Sequence, residues 1–280
     1  MSHRLSPNVT ALGCVSLLMG MSSAMIYGLL PVFLVSVLGA SVAVLGAIEG
    51  SAEATTSFTK VASGISSDWL RRRKPLVVLG YGLSAVNKLL FPVAASASVV
   101  LLARVTDRIG KGIRDAPRDA FLADVVPMPI RGSGFGLRLT LYTIGAVTGP
   151  LIAVYLMSIS GGDFRLVFWL ALIPAFASVG IVLFFVHEAS GAKPAPRHTH
   201  VRGAHLILLP APFWWTLAIA ALFALARFSP AFLVLKAHDS GVEAAFVPMA
   251  LVLMYVFYSV AAYPFGILAD HVDLRVQIGC

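Results

Sequence analysis

The chain has 280 residues, 58% of them hydrophobic and only 12% charged, with a mean hydropathy of +0.88. Soluble domains carry about 45–50% apolar and about 25% charged residues, so a soluble globular class is excluded. The net charge of +8 invites a nucleic-acid reading, but no aromatic-interleaved basic patch accompanies it, and no nucleic-acid partner is expected. The apolar residues gather into runs of about 20, the length that crosses about 30 Å of hydrocarbon as a helix. In chain order the runs are 11–37, 43–66, 76–95, 97–112, 134–158, 165–186, 211–235 and 244–266. The predicted class is an all-α membrane protein with about eight transmembrane helices in this chain, its first partner being the lipid bilayer. A β-barrel would show short alternating segments instead.

The first run follows Cys14 rather than preceding it and lacks a small-residue cleavage site, so it is expected to remain as a helix. Cys14 and Cys280 are the only cysteines, and they imply no disulfide framework. With a cytoplasmic N-terminus, the inside segments hold fourteen Lys and Arg residues and the outside segments only Arg165 and Lys236. That is the positive-inside bias, so the basic charge reports topology in a plasma membrane.

The second run carries Glu49 and Glu53 one turn apart, with Lys60 seven residues beyond Glu53, all on one helix face. Ionisable groups at membrane depth usually face a bundle interior or a water-filled cavity. Desolvation raises a carboxylate's pKa, which suits a proton-coupling group; a structural ion-pair ladder with Lys60 is the competing reading. In the third run Lys88 lies shallower, where its stem reaches outward to the interface.

The fourth run passes into "DRIGKGIRDAPRDA" from Asp107 to Ala120, in which seven of fourteen residues are charged. Arg104, Asp107, Arg108 and Lys111 share one helix face by their spacing. The guanidinium of Arg104 is a planar fork suited to an anionic substrate, or else to an ion pair with Asp107 or Glu53. Arg114, Asp115, Arg118 and Asp119 are expected beyond the membrane, around a Pro117 that ends or bends the helix. Arg138 in the fifth run and Arg227 in the seventh also lie at hydrocarbon depth. The buried bases outnumber the buried acids, which leans toward an anionic or zwitterionic small solute.

Gly145, Gly149 and Pro150 form a small-residue step for close helix packing. "RGSGFG" at 131–136 follows no predicted strand and no P-loop is present, so no nucleotide cofactor is expected. His198, His200 and His205 have no Cys or carboxylate to complete a metal site, and no metal is expected. A membrane-embedded enzyme is disfavoured because the spans hold no paired nucleophile and base.

The stretch 187–210, rich in Pro, Gly and charge, reads as a cytoplasmic linker. It divides the chain into a six-helix bundle at 1–186 and the start of a second bundle at 211–280. A weak repeat relates the two parts. Gly64 and Asp68 are followed by Arg72 and Arg73, and Gly266 and Asp270 by Arg275. Such repeats are common in secondary transporters.

These motifs, with "GAVTGP" at 145–150 and "RVTDRIGKG" from Arg104, resemble the loop, antiporter and fourth-helix motifs of the major facilitator superfamily. The longer strings resemble one uncharacterised bacterial subfamily. Trp69 and Arg71 depart from the superfamily's loop motif, and Tyr142 stands where the subfamily usually carries an Asp. The resemblance implies a major facilitator-type helical bundle of twelve helices, of which about eight are present, in a bacterial inner membrane. It implies a secondary-active transporter of a small solute working by alternating access, with proton-coupled antiport as the finer expectation. Asp68 and Asp270 would latch the cytoplasmic gate, Asp270 near Ser133, and Arg227 would line the central cavity. The second reading is a truncated, non-transporting membrane component that takes its remaining helices from a partner chain.

Overall fold

The computed structural model describes residues 7–70, 73–188, 211–226 and 229–258. Every regular element among them is helical. The helices are α1 (Pro7–Val37), α2 (Val42–Leu70), α3 (Lys74–Val93), α4 (Ala97–Val125), α5 (Arg131–Ile159), α6 (Phe164–Phe185), α7 (Ala211–Ala226), α8 (Pro230–Asp239) and α9 (Met249–Tyr258). Four of them, α1, α3, α5 and α6, are long and apolar enough to cross a membrane on composition alone. At 29 residues each, α2 and α4 are long enough too, reaching about 43 Å by the helical rise. They carry most of the charged side chains of the first six helices.

Two ends of the bundle are defined by contacts between helix termini. At the proximal end, Asn8 exchanges two 3.0 Å hydrogen bonds with His187, joining the start of α1 to the end of α6. At the distal end, the Phe33 ring near the end of α1 lies 5.9 Å from Phe164 at the start of α6. Phe168 meets Phe33 edge-on at 5.3 Å and Phe91 at 6.4 Å, so aromatic rings fill the distal core.

Local chemistry accounts for the elements. On α2, Ser51, Thr55 and Thr56 donate to the carbonyls of Ala47, Ser51 and Ala52 at 2.6–3.1 Å. Each hydroxyl thereby satisfies itself on its own helix, as an apolar surrounding requires. Asp163 caps α6 through bonds from the Arg165 and Leu166 amides. Near its distal end α1 contains a π-turn over Phe33–Val37, directly after Pro31, whose missing N–H disturbs the regular ladder.

Close approach is a matter of missing side chains. A Cβ on Gly145 would stand 2.2 Å from the Leu17 carbonyl oxygen, and one on Gly149 would stand 2.5 Å from that of Met21. The step at 145–150 therefore seats α5 directly on the backbone of α1, the packing expected of small residues.

Three expectations need correction. The fourth run was expected to stop near residue 112, around a Pro117 that ends or bends the helix, but α4 does not end there and runs on to Val125 with Pro117 inside it. Arg118 holds Asp115 and Asp119 at 3.0 Å each, so these three charges offset one another along the helix. Lys88 does not reach outward. It is fully buried, donating to Ser22 at 2.7 Å, Ser23 at 3.0 Å and the Met19 sulfur at 3.4 Å. The seventh run comprises two helices, α7 and α8, with α8 starting afresh at Pro230.

Candidate functional site

The charged faces of α2 and α4 meet inside the bundle. Their register is set by Gly112, whose carbonyl accepts from Ser63 at 2.7 Å and whose bare Cα lies against Thr59. With that register fixed, Glu49 and Arg104 fall opposite one another, each seven residues into its helix and so about 10 Å below the distal end. Arg104 grips Glu49 with both arms of its fork: Nε to Oε1 and Nη2 to Oε2, both 2.7 Å. The two side chains are 4% and 10% exposed, so the pair is desolvated. A bidentate fork is the strongest form of such a pair.

Three further groups complete the cluster. The Ser229 hydroxyl donates to Glu49 Oε2 at 3.1 Å. The Ser229 hydroxyl oxygen also accepts from the Ala231 amide at 3.3 Å and so caps α8. On the opposite side the Tyr27 ring lies flat beneath Arg104, with the guanidinium carbon 3.7 Å from its centroid, and Arg108 approaches the same ring at 5.6 Å. The Tyr27 hydroxyl donates to Asp107 Oδ2. A polar chain thus runs from α8 through Glu49, Arg104 and Tyr27 to Asp107. Three buried atoms along it have no hydrogen-bond partner among the described residues: Arg104 Nη1, Arg108 Nε and Asp107 Oδ1.

Of the residues singled out by sequence, Glu49, Arg104 and Asp107 are brought together. Glu53 is exposed one turn further along α2 and makes no ion pair with Lys60 among the described residues. Arg138 is elsewhere, 3.9 Å from Asp119 in the proximal charge group. Arg73 joins that end of the bundle, pairing with Asp124 at 2.9 Å while its amide donates to Glu188 at 3.0 Å. Gly64 faces Ala116 across the α2–α4 contact. Arg72, Arg227, Gly266, Asp270 and Arg275 lie outside the described residues, as does the side chain of Asp68.

Sequence reasoning did not find Tyr27 or Ser229. For Ser229 a signal existed: Ser followed by Pro is a helix start, and here it stands within an apolar run. Tyr27 carries no comparable signal.

Comparison with known proteins agrees with the fold. The profile of the Major Facilitator Superfamily matches residues 12–279. An uncharacterised MFS-type transporter of Methanocaldococcus jannaschii is 34% identical over 280 residues, covering 98% of this chain and 69% of that protein. A multidrug resistance protein of Cronobacter sakazakii is 30% identical over 142 residues, 51% of this chain and 34% of that one. Among solved structures, a bacterial homologue of the human lysosomal transporter Spinster, inward-facing and occupied, superposes with a TM-score of 0.76 at 18% identity. The match covers 95% of this chain and 62% of that one, so the chain spans under two thirds of that structure's length. The chain belongs to the major facilitator superfamily, a family of multi-pass membrane transporters.

Proposed function

We propose that this chain forms part of a secondary-active transporter that moves a small anionic or zwitterionic solute by alternating access, coupled to protons. The observation that carries the reading is the buried Glu49–Arg104 pair tied to Ser229 on α8. It puts an ion pair at membrane depth on a contact between segments that lie on either side of residues 187–210. Such a contact is what a rocking motion has to make and break. Further contacts between the same segments cluster toward the distal end. Ser36 meets His238 at 3.2 Å, and Val32 packs with Val234 and Val247. In this reading they close the distal side, while the proximal side carries the charged groups Arg73–Asp124 and Arg118–Asp115. The proximal end is cytoplasmic, because the basic connections gather there. The two bundles at 1–186 and 211–280 rock about the solute, with residues 187–210 as their link.

The test is uptake of a panel of radiolabelled organic acids into proteoliposomes under an imposed pH gradient. The purified chain is expected to accumulate at least one of them, and the double variant Glu49→Gln, Glu53→Gln none. Gradient-driven uptake that survives both substitutions would remove the coupling role. Uptake that appears only when a second chain supplies further helices would favour the reading as a component of a larger assembly.

A further inference from the structure

We infer that Glu49 occupies a site for a carboxylate-bearing solute, and that a transported monocarboxylate takes its place on Arg104. The inference deepens the transporter reading and rests on it. Four features around Arg104 are those of an anion site rather than of a helix-to-helix brace.

The first is the geometry of the fork. Both Glu49 oxygens are held at 2.7 Å by Nε and Nη2, an arrangement that any carboxylate satisfies equally well. The second is the start of α8. Its cap, Ser229, offers its hydroxyl to Glu49 Oε2 while accepting the Ala231 amide, so the positive end of a helix is relayed onto the carboxylate through one oxygen. Half-helix termini of this kind are used to receive anionic groups at membrane depth. The third is unspent capacity: Arg104 is 4% exposed, yet its Nη1 is buried with no partner among the described residues. Buried donors are matched in the large majority of cases, so an unmatched one at this depth calls for an explanation, and a ligand supplies it. The fourth is charge. Arg104 and Arg108 of α4 both approach the Tyr27 ring of α1, whereas Asp107 is engaged by the Tyr27 hydroxyl. Among the described residues, Glu49 is then the one carboxylate bonded to Arg104.

The charge count selects the ligand class. When Glu49 takes a proton from water it releases Arg104, and the cluster gains one positive charge. One monoanion restores the balance, with no net charge left in the low-dielectric interior. A dianion such as hydrogen phosphate leaves an excess negative charge, and a neutral solute leaves Arg104 unpaired. Tyr27 and Asp107 on one side, Arg104 and Arg108 above, and Ser229 from α8 are the polar and titratable groups around Glu49. Glu53 and Lys60 lie further along its own helix. Ser229 is in this account a specificity-determining contact.

Binding of acetate to the purified full chain in detergent, followed by titration calorimetry, tests this apart from transport. Phosphate and chloride serve as comparison anions. An internal competitor lowers apparent affinity by the fraction of free site, so Glu49→Gln should bind acetate at least about tenfold more tightly than the natural chain. The double variant Glu49→Gln, Arg104→Gln should lose that binding, and phosphate should not gain. Glu49→Asp, which withdraws the carboxylate by one methylene, gives a second route to the same gain if the Gln variant does not fold. Acetate affinity unchanged in both Glu49 variants, or retained without Arg104, overturns the inference, as does an equal gain for phosphate and chloride. If acetate binding follows these rules in a chain that moves no solute, the anion site stands and the transporter reading fails. If solute moves but the Glu49 variants bind acetate no better, only the present inference fails.

Discussion

Replacing Gly145 by Ala should force α1 and α5 apart, by an amount the geometry fixes. The new Cβ would lie 2.2 Å from the Leu17 carbonyl oxygen and 3.0 Å from both the Leu17 carbonyl carbon and the Met21 nitrogen. Carbon–oxygen contacts across helix interfaces settle at about 3.3–3.6 Å, so the two backbones must separate by about 1 Å at this level. The obstacle is main chain, which no rotamer change can clear. Overpacking of this kind costs about 1–3 kcal/mol, offset by the gain of about 0.5–1 kcal/mol that Ala brings over Gly within a helix. The net expectation is a loss of about 1–2 kcal/mol. Gly136 on the same helix is the control, because a Cβ there meets nothing within 4 Å. Gly136→Ala should keep the helix gain alone and stabilise slightly. Denaturant unfolding of the purified protein in detergent, read by circular dichroism, measures both. If Gly145→Ala unfolds no earlier than the natural chain, the α1–α5 contact is not as close as described and the reasoning fails.

Two further outcomes follow from the buried network. Tyr27→Phe removes the donor to Asp107, a side chain 3% exposed whose other oxygen has no partner among the described residues. The same unfolding assay should show a loss of about 1–3 kcal/mol, and unchanged stability would contradict the hydrogen bond. An amine-reactive reagent should modify exposed Lys236 in the folded protein and leave Lys88 untouched until it unfolds. Peptide mass mapping that finds Lys88 modified as fast as Lys236 would refute its burial.

The spans were legible in the sequence because a hydrocarbon interior imposes one length and one composition on whatever crosses it. Five predicted runs match helices within a few residues. The end of α4 was not legible, since a Pro and seven charges in fourteen residues look like a loop until Arg118 is seen to neutralise its own helix neighbours. The site was half legible. The depths of Glu49 and Arg104 followed from the helical rise, but the acid that pairs with Arg104 depends on the sliding register of α2 against α4. One bare position, Gly112 against Thr59, sets that register, and no single-helix pattern reports it. Lys88 shows the same limit. Its hydroxyl partners, Ser22 and Ser23, belong to a different helix and look like ordinary small residues in an apolar run.

For three of the buried cations, Lys88, Arg104 and Arg114, the partners have an order along the chain. Lys88 of α3 meets Ser22 and Ser23 of α1. Arg104 of α4 meets Glu49 of α2 and Tyr27 of α1, and Arg114 of α4 meets Gly80, Tyr81 and Ser84 of α3. In each case the receiving group is synthesised first. A lone Lys or Arg at the centre of a nascent span opposes release into lipid by about 2.5–3.5 kcal/mol. Here each one emerges from the ribosome after its acceptors have already been made. Chain order therefore serves insertion as well as the finished fold, and a circular permutant that makes α4 before α1 and α2 should integrate poorly even though its final contacts are the same.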